Sequence, residues 1–305
     1  MGIVEDRLRK WSERTGIPLK DLREMYESLV DEIGSKTKAL RELRIRLSEE
    51  IGSLRSPATP YYALIMGDTG VYDYVESIRS RVERSDRFRE RAISIGLINE
   101  DGDPLDRDGN ILTGPIYRRD LFVAISKDES FAEPRLAWIT LYDERDQSEE
   151  YRQGAFYKIR CNGSLSRQLP RLTKGRGTFV REVSLDVSVE DVSSALGCMP
   201  LTVGTIESLL STNRKPPVVT FKGIAKYLSL DPRNGHRGFR LYSNEDEIDL
   251  PDLYVYCRVP AATMITFREL DEVHVFGSIW KGRRSDKDYN MDVYGYIALP
   301  FKEVV

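Results

Sequence analysis

The sequence predicts an α+β protein, with a helical N-terminal region followed by two OB-like five-stranded β-barrels. Three observations predict it. Val218 to Phe301 holds five short runs in which apolar and polar residues alternate with period 2. Tyr117 to Asp186 holds a second, weaker set of such runs, and residues 3–55 carry apolar side chains at helical spacing. The implied division is a helical region at 1–56, a helical and connector segment at 57–114, a first OB-like barrel at 115–188, a helical linker at 189–215 and a C-terminal OB-fold at 216–305.

A chain of 305 residues can bury two or three cores, and 31% charged with 40% hydrophobic residues is a globular composition. The net charge of −3 excludes general attraction to polyanions and leaves only local patches for that role. Cys161, Cys198 and Cys257 lie far apart, and with only His236 and His274 besides, no zinc ribbon can be assembled. No apolar stretch approaches a membrane span, and the first residues lack the apolar core of a signal peptide. The expectation is a cytoplasmic protein with free thiols, no cofactor and no membrane partner.

In the N-terminal region Thr15-Gly16-Ile17-Pro18-Leu19 breaks a first helix. Leu22, Met25, Tyr26, Leu29, Val30 and Ile33 then recur at helical steps until Gly34. Leu40, Leu43, Leu47 and Ile51 continue as a third helix, whose stripe either packs on its own bundle or meets a partner helix or a second copy. Val71 to Ile95 reads as one helix in which Arg79, Arg81, Arg84, Arg87, Arg89 and Arg91 interleave with glutamates, a mixed-sign face suited to solvent, or else to a polyanion. Asp101 to Asn110 alternates acids around glycine, but neither frame supplies the twelfth-position carboxylate of an EF-hand, so it reads as a connector.

In the first β-region Leu121, Val123 and Ile125 alternate with Phe122, Ala124 and Ser126. Ala137, Ile139 and Leu141 alternate with Trp138, Thr140 and Tyr142, and Tyr157, Ile159 and Cys161 with Phe156, Lys158 and Arg160. From Tyr151 to Arg181 there is no acidic residue, while Arg152, Lys158, Arg160, Arg167, Arg171, Lys174, Arg176 and Arg181 are present. Such a patch suits a phosphate backbone, or else an ion-pair surface facing the rest of the chain. Trp138, Phe156, Lys158, Arg160, Lys174 and Arg176 are the candidate contacts. Val189 to Leu210 reads as a helical linker broken at Cys198-Met199-Pro200 and ended by Pro216-Pro217.

The last module is the most legible. Leu253, Val255, Cys257 and Val259 share one strand face, Tyr254, Tyr256 and Arg258 the other. In the same way Phe239 and Leu241 oppose Arg240 and Tyr242, Val273, Val275 and Ile279 oppose His274, Phe276 and Trp280, and Asp292, Tyr294 and Tyr296 face outward in the final run. Gly223 marks a bend in the first run, and Ala261 to Leu270 reads as a short helix. Single-stranded nucleic acid suits such a surface, because bases stack on rings and cations between the rings meet phosphates. The basic loop Lys281-Gly282-Arg283-Arg284 sits where an OB barrel joins its fourth and fifth strands.

No P-loop, nucleophile elbow or H-E-x-x-H motif occurs, and two histidines leave acid-base or metal chemistry little to work with. On these residues the chain resembles archaeal and archaeal-virus proteins of the replication protein A type, which string OB barrels along single-stranded DNA. The resemblance implies a non-enzymatic protein of DNA replication and repair. It implies stacking at Tyr242, Tyr254, Tyr256, Phe276 and Trp280, and phosphate contacts at Arg240, Arg258, Arg283 and Arg284. Replication proteins, or a second copy held through the N-terminal helices, are the protein partners it implies. An RNA-binding OB protein and a scaffold that binds only proteins are the alternatives.

Overall fold

The alternating runs form two closed barrels in the computed structural model of the chain. Residues 3–15, 17–36, 39–40, 42–43, 47, 59–106, 109–142, 147–175, 180–212, 216–229, 236–243, 253–260, 262–282 and 289–299 are described. The chain divides into two units, Met1–Thr59 and Pro60–Val305.

In the N-terminal unit α1 (Ile3–Thr15) and α2 (Leu19–Ile33) follow the predicted break, and α2 ends where Gly34 takes the left-handed conformation at φ 69°. Leu40, Leu43 and Leu47 are buried with Leu8, Leu22, Tyr26 and Leu29. These three leucines of the stripe therefore serve their own bundle. Ile51 lies outside the described residues.

The first barrel comprises β1 (Thr59–Asp73), β2 (Tyr117–Ser126), β3 (Arg135–Leu141), β4 (Phe156–Asn162) and β5 (Arg171–Lys174), with β6 (Arg181–Glu182) added to the edge of β4. The order β1-β2-β3-β5-β4 closes by β1 pairing with β4, and β3 runs parallel to β5. The second barrel comprises β7 (Val219–Ser229), β8 (His236–Tyr242), β9 (Val255–Pro260), β10 (Glu272–Lys281) and β11 (Tyr289–Leu299). It repeats the same order, with β9 and β11 as its parallel pair. Two barrels with this five-strand order are tandem OB-folds. Strand β7 pairs with β10 up to Ile224 and with β8 from there on, so it turns between neighbours beside Gly223 as predicted.

Three elements differ from the sequence reading. The segment 57–114 supplies β1, the strand that closes the first barrel. Residues 61–68 of it are buried on both faces, so the run shows no alternation to read. The single helix expected at 71–95 is two, α3 (Tyr74–Arg84) and α4 (Asp86–Ser94), because the Ser85 hydroxyl accepts from the Phe88 amide and starts the chain afresh. Residues 262–271 form turns, not a helix. Phe267 inserts instead at the end of the second barrel, 5.0 Å from the ring centroids of both Phe239 and Tyr296.

The linker holds α5 (Val189–Leu196), started by a reciprocal Ser188–Asp191 capping box, and α6 (Val203–Ser211). Ile206 of α6 joins the second barrel's core. A third cluster joins the barrels. Tyr62, Leu64, Met66, Phe122 and Ala124 of the first meet Phe276, Ile297 and Leu299 of the second, with Val192 of α5 beside them.

Candidate nucleic-acid interface

The joint between the barrels decides which predicted faces remain open. Trp138 packs against Phe122 and Tyr294 at 5.0 and 5.5 Å, and Phe276 is fully buried 6.3 Å from Phe122. Phe156 is nearly buried, 5.3 Å from Phe131. The alternation of these residues is as predicted, but the face they form is where one barrel covers the other. Trp138, Phe156 and Phe276 are thus packing residues, and the first barrel offers no aromatic platform there. Backbone approach makes the joint tight. A Cβ on Gly67 would stand 2.0 Å from the Tyr294 carbonyl oxygen, and one on Gly295 would stand 2.7 Å from Met66 backbone and the Phe122 ring.

The cations of the first barrel are mostly engaged within it. Asp120, buried on the outer side of β2, accepts from Tyr72 and Thr140 at 2.6 Å each, pairs with Arg171 at 2.7 Å and with Arg118 at 3.1 Å. Burial alone would raise the Asp120 pKa, but Arg171, those two hydroxyls and Arg118 hold it below the ordinary carboxylate value. Arg152 pairs with Glu182, and Arg119 forks onto buried Asp68. The stretch without acids therefore draws its counter-charges from neighbouring strands. Lys158 donates to the Tyr62 hydroxyl at 2.9 Å, and Lys174 is partly buried opposite Cys161. Arg160 and Arg181 are exposed and carry no ion pair among the described residues. Arg176, Arg283 and Arg284 lie outside those residues.

On the second barrel the strands β8 and β9, second and third of the OB order, keep their outer face accessible. Arg240 stands opposite Tyr256 across the ladder, and its guanidinium lies 4.5 Å over the Tyr254 ring. Tyr256 lies along the neighbouring strand at Gly238, where an added Cβ would meet its hydroxyl at 2.3 Å; only glycine leaves room for the ring. Tyr254, Tyr256 and Arg240 are all partly exposed. Tyr242 is not: it is buried 6.0 Å from Tyr254, and so supports the platform without being part of it. Arg258 roofs Trp280 at 4.7 Å and is paired with Asp292, so its charge is partly spent within the fold.

Two residues depart from the alternation because bulges reset it. Between β10 and β11 the register slips as Phe276 pairs with Gly295 but Gly277 with Val293. Beyond that extra residue Tyr296 turns into the core, and its hydroxyl accepts from the Thr266 amide at 2.9 Å. His274 keeps its predicted outward phase but is fully buried under the linker, with the Ser193 hydroxyl 2.8 Å from its Nδ1. In β7 a slip between Lys226 and Ser229 turns Tyr227 outward, although straight alternation places it in the core. Tyr227 is 51% exposed, with the Arg240 guanidinium 5.0 Å and the Lys226 ammonium 5.4 Å over its ring. No sequence signal short of the bulge itself marks it.

No protein-family model matches the chain, and no curated protein matches its sequence. Among solved structures it is similar to the Ifi202 HINa domain in complex with 20-bp double-stranded DNA, at 11% identity and TM-score 0.32 over 81% of this chain and 98% of that one. It is similar also to the p204 HINb domain, at 9% identity and TM-score 0.32 over 81% and 100%. A deletion mutant of the single-stranded DNA binding protein from Thermus aquaticus shares 9% identity at TM-score 0.20 over 82% and 97%. At these values the assignment of tandem OB-folds rests on the strand order, and the function on the site.

Proposed function

We propose that the chain binds single-stranded DNA through the β8–β9 face of its second barrel, as a non-enzymatic protein of the replication protein A kind acting in replication and repair. The observation that carries this is Arg240, a cation lying over the partly exposed ring of Tyr254 and opposite Tyr256, with no carboxylate paired to it among the described residues. Tyr254 and Tyr256, at the start of β9, thus present flat rings on which unpaired bases stack, with a positive charge from the neighbouring β8 placed for the phosphate between them. Duplex DNA keeps its base faces stacked inside and offers such rings only its ends.

Titration of the chain with oligo-dT, matched duplex and matched oligo-rU tests the reading. Single-stranded DNA is expected to bind most tightly. Tyr254→Ala with Tyr256→Ala is expected to weaken that binding by about 100-fold, two stacked bases at roughly 1–3 kcal/mol each. Equal binding of duplex would overturn the reading. Preference for oligo-rU would replace DNA by RNA, and background binding throughout would leave a scaffold for proteins.

A further inference from the structure

Tyr227 stands where the backbone asks for glycine. Its φ is +56°, the left-handed region that a bulky L-residue rarely adopts, and it sits in the bulge between Lys226 and Ser229. A glycine in that conformation is the ordinary solution at a β-bulge. Nor does the side chain repay the conformation by filling a core, since it is 51% exposed and absent from the packed cluster of the second barrel. Leu228, the next residue, does that packing instead. What the strained backbone achieves is to lift a tyrosine ring out of the barrel next to Arg240, whose guanidinium lies 5.0 Å over Tyr227 and 4.5 Å over Tyr254. Lys226 adds a second cation at the same ring, and neither Lys226 nor Arg240 has an acidic partner among the described residues.

We propose that Tyr227 is a base-stacking residue, extending the interface from β8–β9 onto the first strand of the barrel, and that Arg240 serves it as an exchangeable cover. The inference rests on the single-strand reading above. A guanidinium and a nucleobase are both flat groups that stack on an aromatic face. In the free protein the guanidinium covers the rings of Tyr227 and Tyr254. When an unpaired base stacks on Tyr227, the guanidinium leaves that face and turns to the phosphate linking this base to its neighbour, with Lys226 on the flanking phosphate. The strain at residue 227 is then the cost of holding a ring in solvent for a ligand.

The experiment compares Tyr227→Gly and Tyr227→Phe in the full chain by thermal melting and by oligo-dT titration, with the Tyr254→Ala, Tyr256→Ala variant alongside. Tyr227→Gly is expected to melt no lower than wild type, because glycine suits the backbone, while its affinity falls about 10-fold through loss of one stacked base. Tyr227→Phe keeps the ring and is expected to keep the affinity. A lowered melting temperature for Tyr227→Gly makes the residue structural and overturns the inference. So does wild-type affinity in Tyr227→Gly while the Tyr254, Tyr256 variant is weakened, an outcome that leaves the single-strand reading standing. Failure of the wild-type chain to bind oligo-dT removes both.

Discussion

His274 shows at the scale of one residue how phase and burial part company. Its outward phase on β10 was legible, yet α5 and β7 cover it, and its ring is held between the hydroxyls of Ser193 and Thr220. Burial first, and then the positive charge of Lys222, push its pKa down to about 3, against a weaker upward pull from the Gly197 backbone. The folded chain thus refuses a proton that the unfolded chain accepts near pH 6.5. The associated stability is complete above that pH and is lost as pH falls toward 3, at about 1.4 kcal/mol per pH unit. Urea midpoints should therefore drop between pH 6.5 and pH 5, before most carboxylates titrate. His274→Gln should flatten that slope even though it lowers stability at pH 7. An unchanged slope in the variant would show that the imidazole is not the group responsible.

Elements were legible wherever one strand face meets the core and the other does not. The inward sets of β8, β9 and the first half of β10 lie in one cluster as their alternation requires. Strand β1 was not legible, since burial of residues 61–68 on both faces erases the period. Bulges hid the rest. One extra residue in β11 sent Tyr296 inward, one in β7 sent Tyr227 outward, and no composition rule marks the place of a slip. The glycines at the barrel joint were invisible for a different reason, because their partners are brought near only by the tertiary fold. Gly295→Val should cost about 2–3 kcal/mol, because its branched side chain has to displace Met66 backbone and the Phe122 ring. Gly204→Ala, in α6 with nothing within 4 Å of the new methyl, should stabilise by about 0.5 kcal/mol. Denaturant midpoints of the two variants measure whether close approach at the joint, or glycine loss in general, sets the cost.

For the whole molecule, the covered joint means that a bound strand cannot run over the aromatic side of both barrels. Away from the joint the first barrel presents exposed charge at Arg160 and Arg181. Across the two barrels the engaged and unengaged cations separate clearly. Arg171 of the first is paired with Asp120 and Arg258 of the second with Asp292, whereas Arg240 and Lys226 lie over rings with no carboxylate paired to them among the described residues. Each phosphate neutralised by an unengaged cation contributes about −0.7 to the slope of log K against log salt for a single strand. Arg240→Ala should then make the slope shallower by about 0.7, while Arg171→Ala should leave it unchanged and instead destabilise the fold by taking from buried Asp120 the nearer of its two cations. Arg160→Ser with Arg181→Ser separates a strand confined to one barrel from one that crosses to the next. With a short oligo-dT that occupies only the platform the pair should have no effect. With a long one it should reduce the slope by about 1.4. An equal response at both lengths would mean that these arginines sit beside the platform, and no response at either would confine the strand to the second barrel.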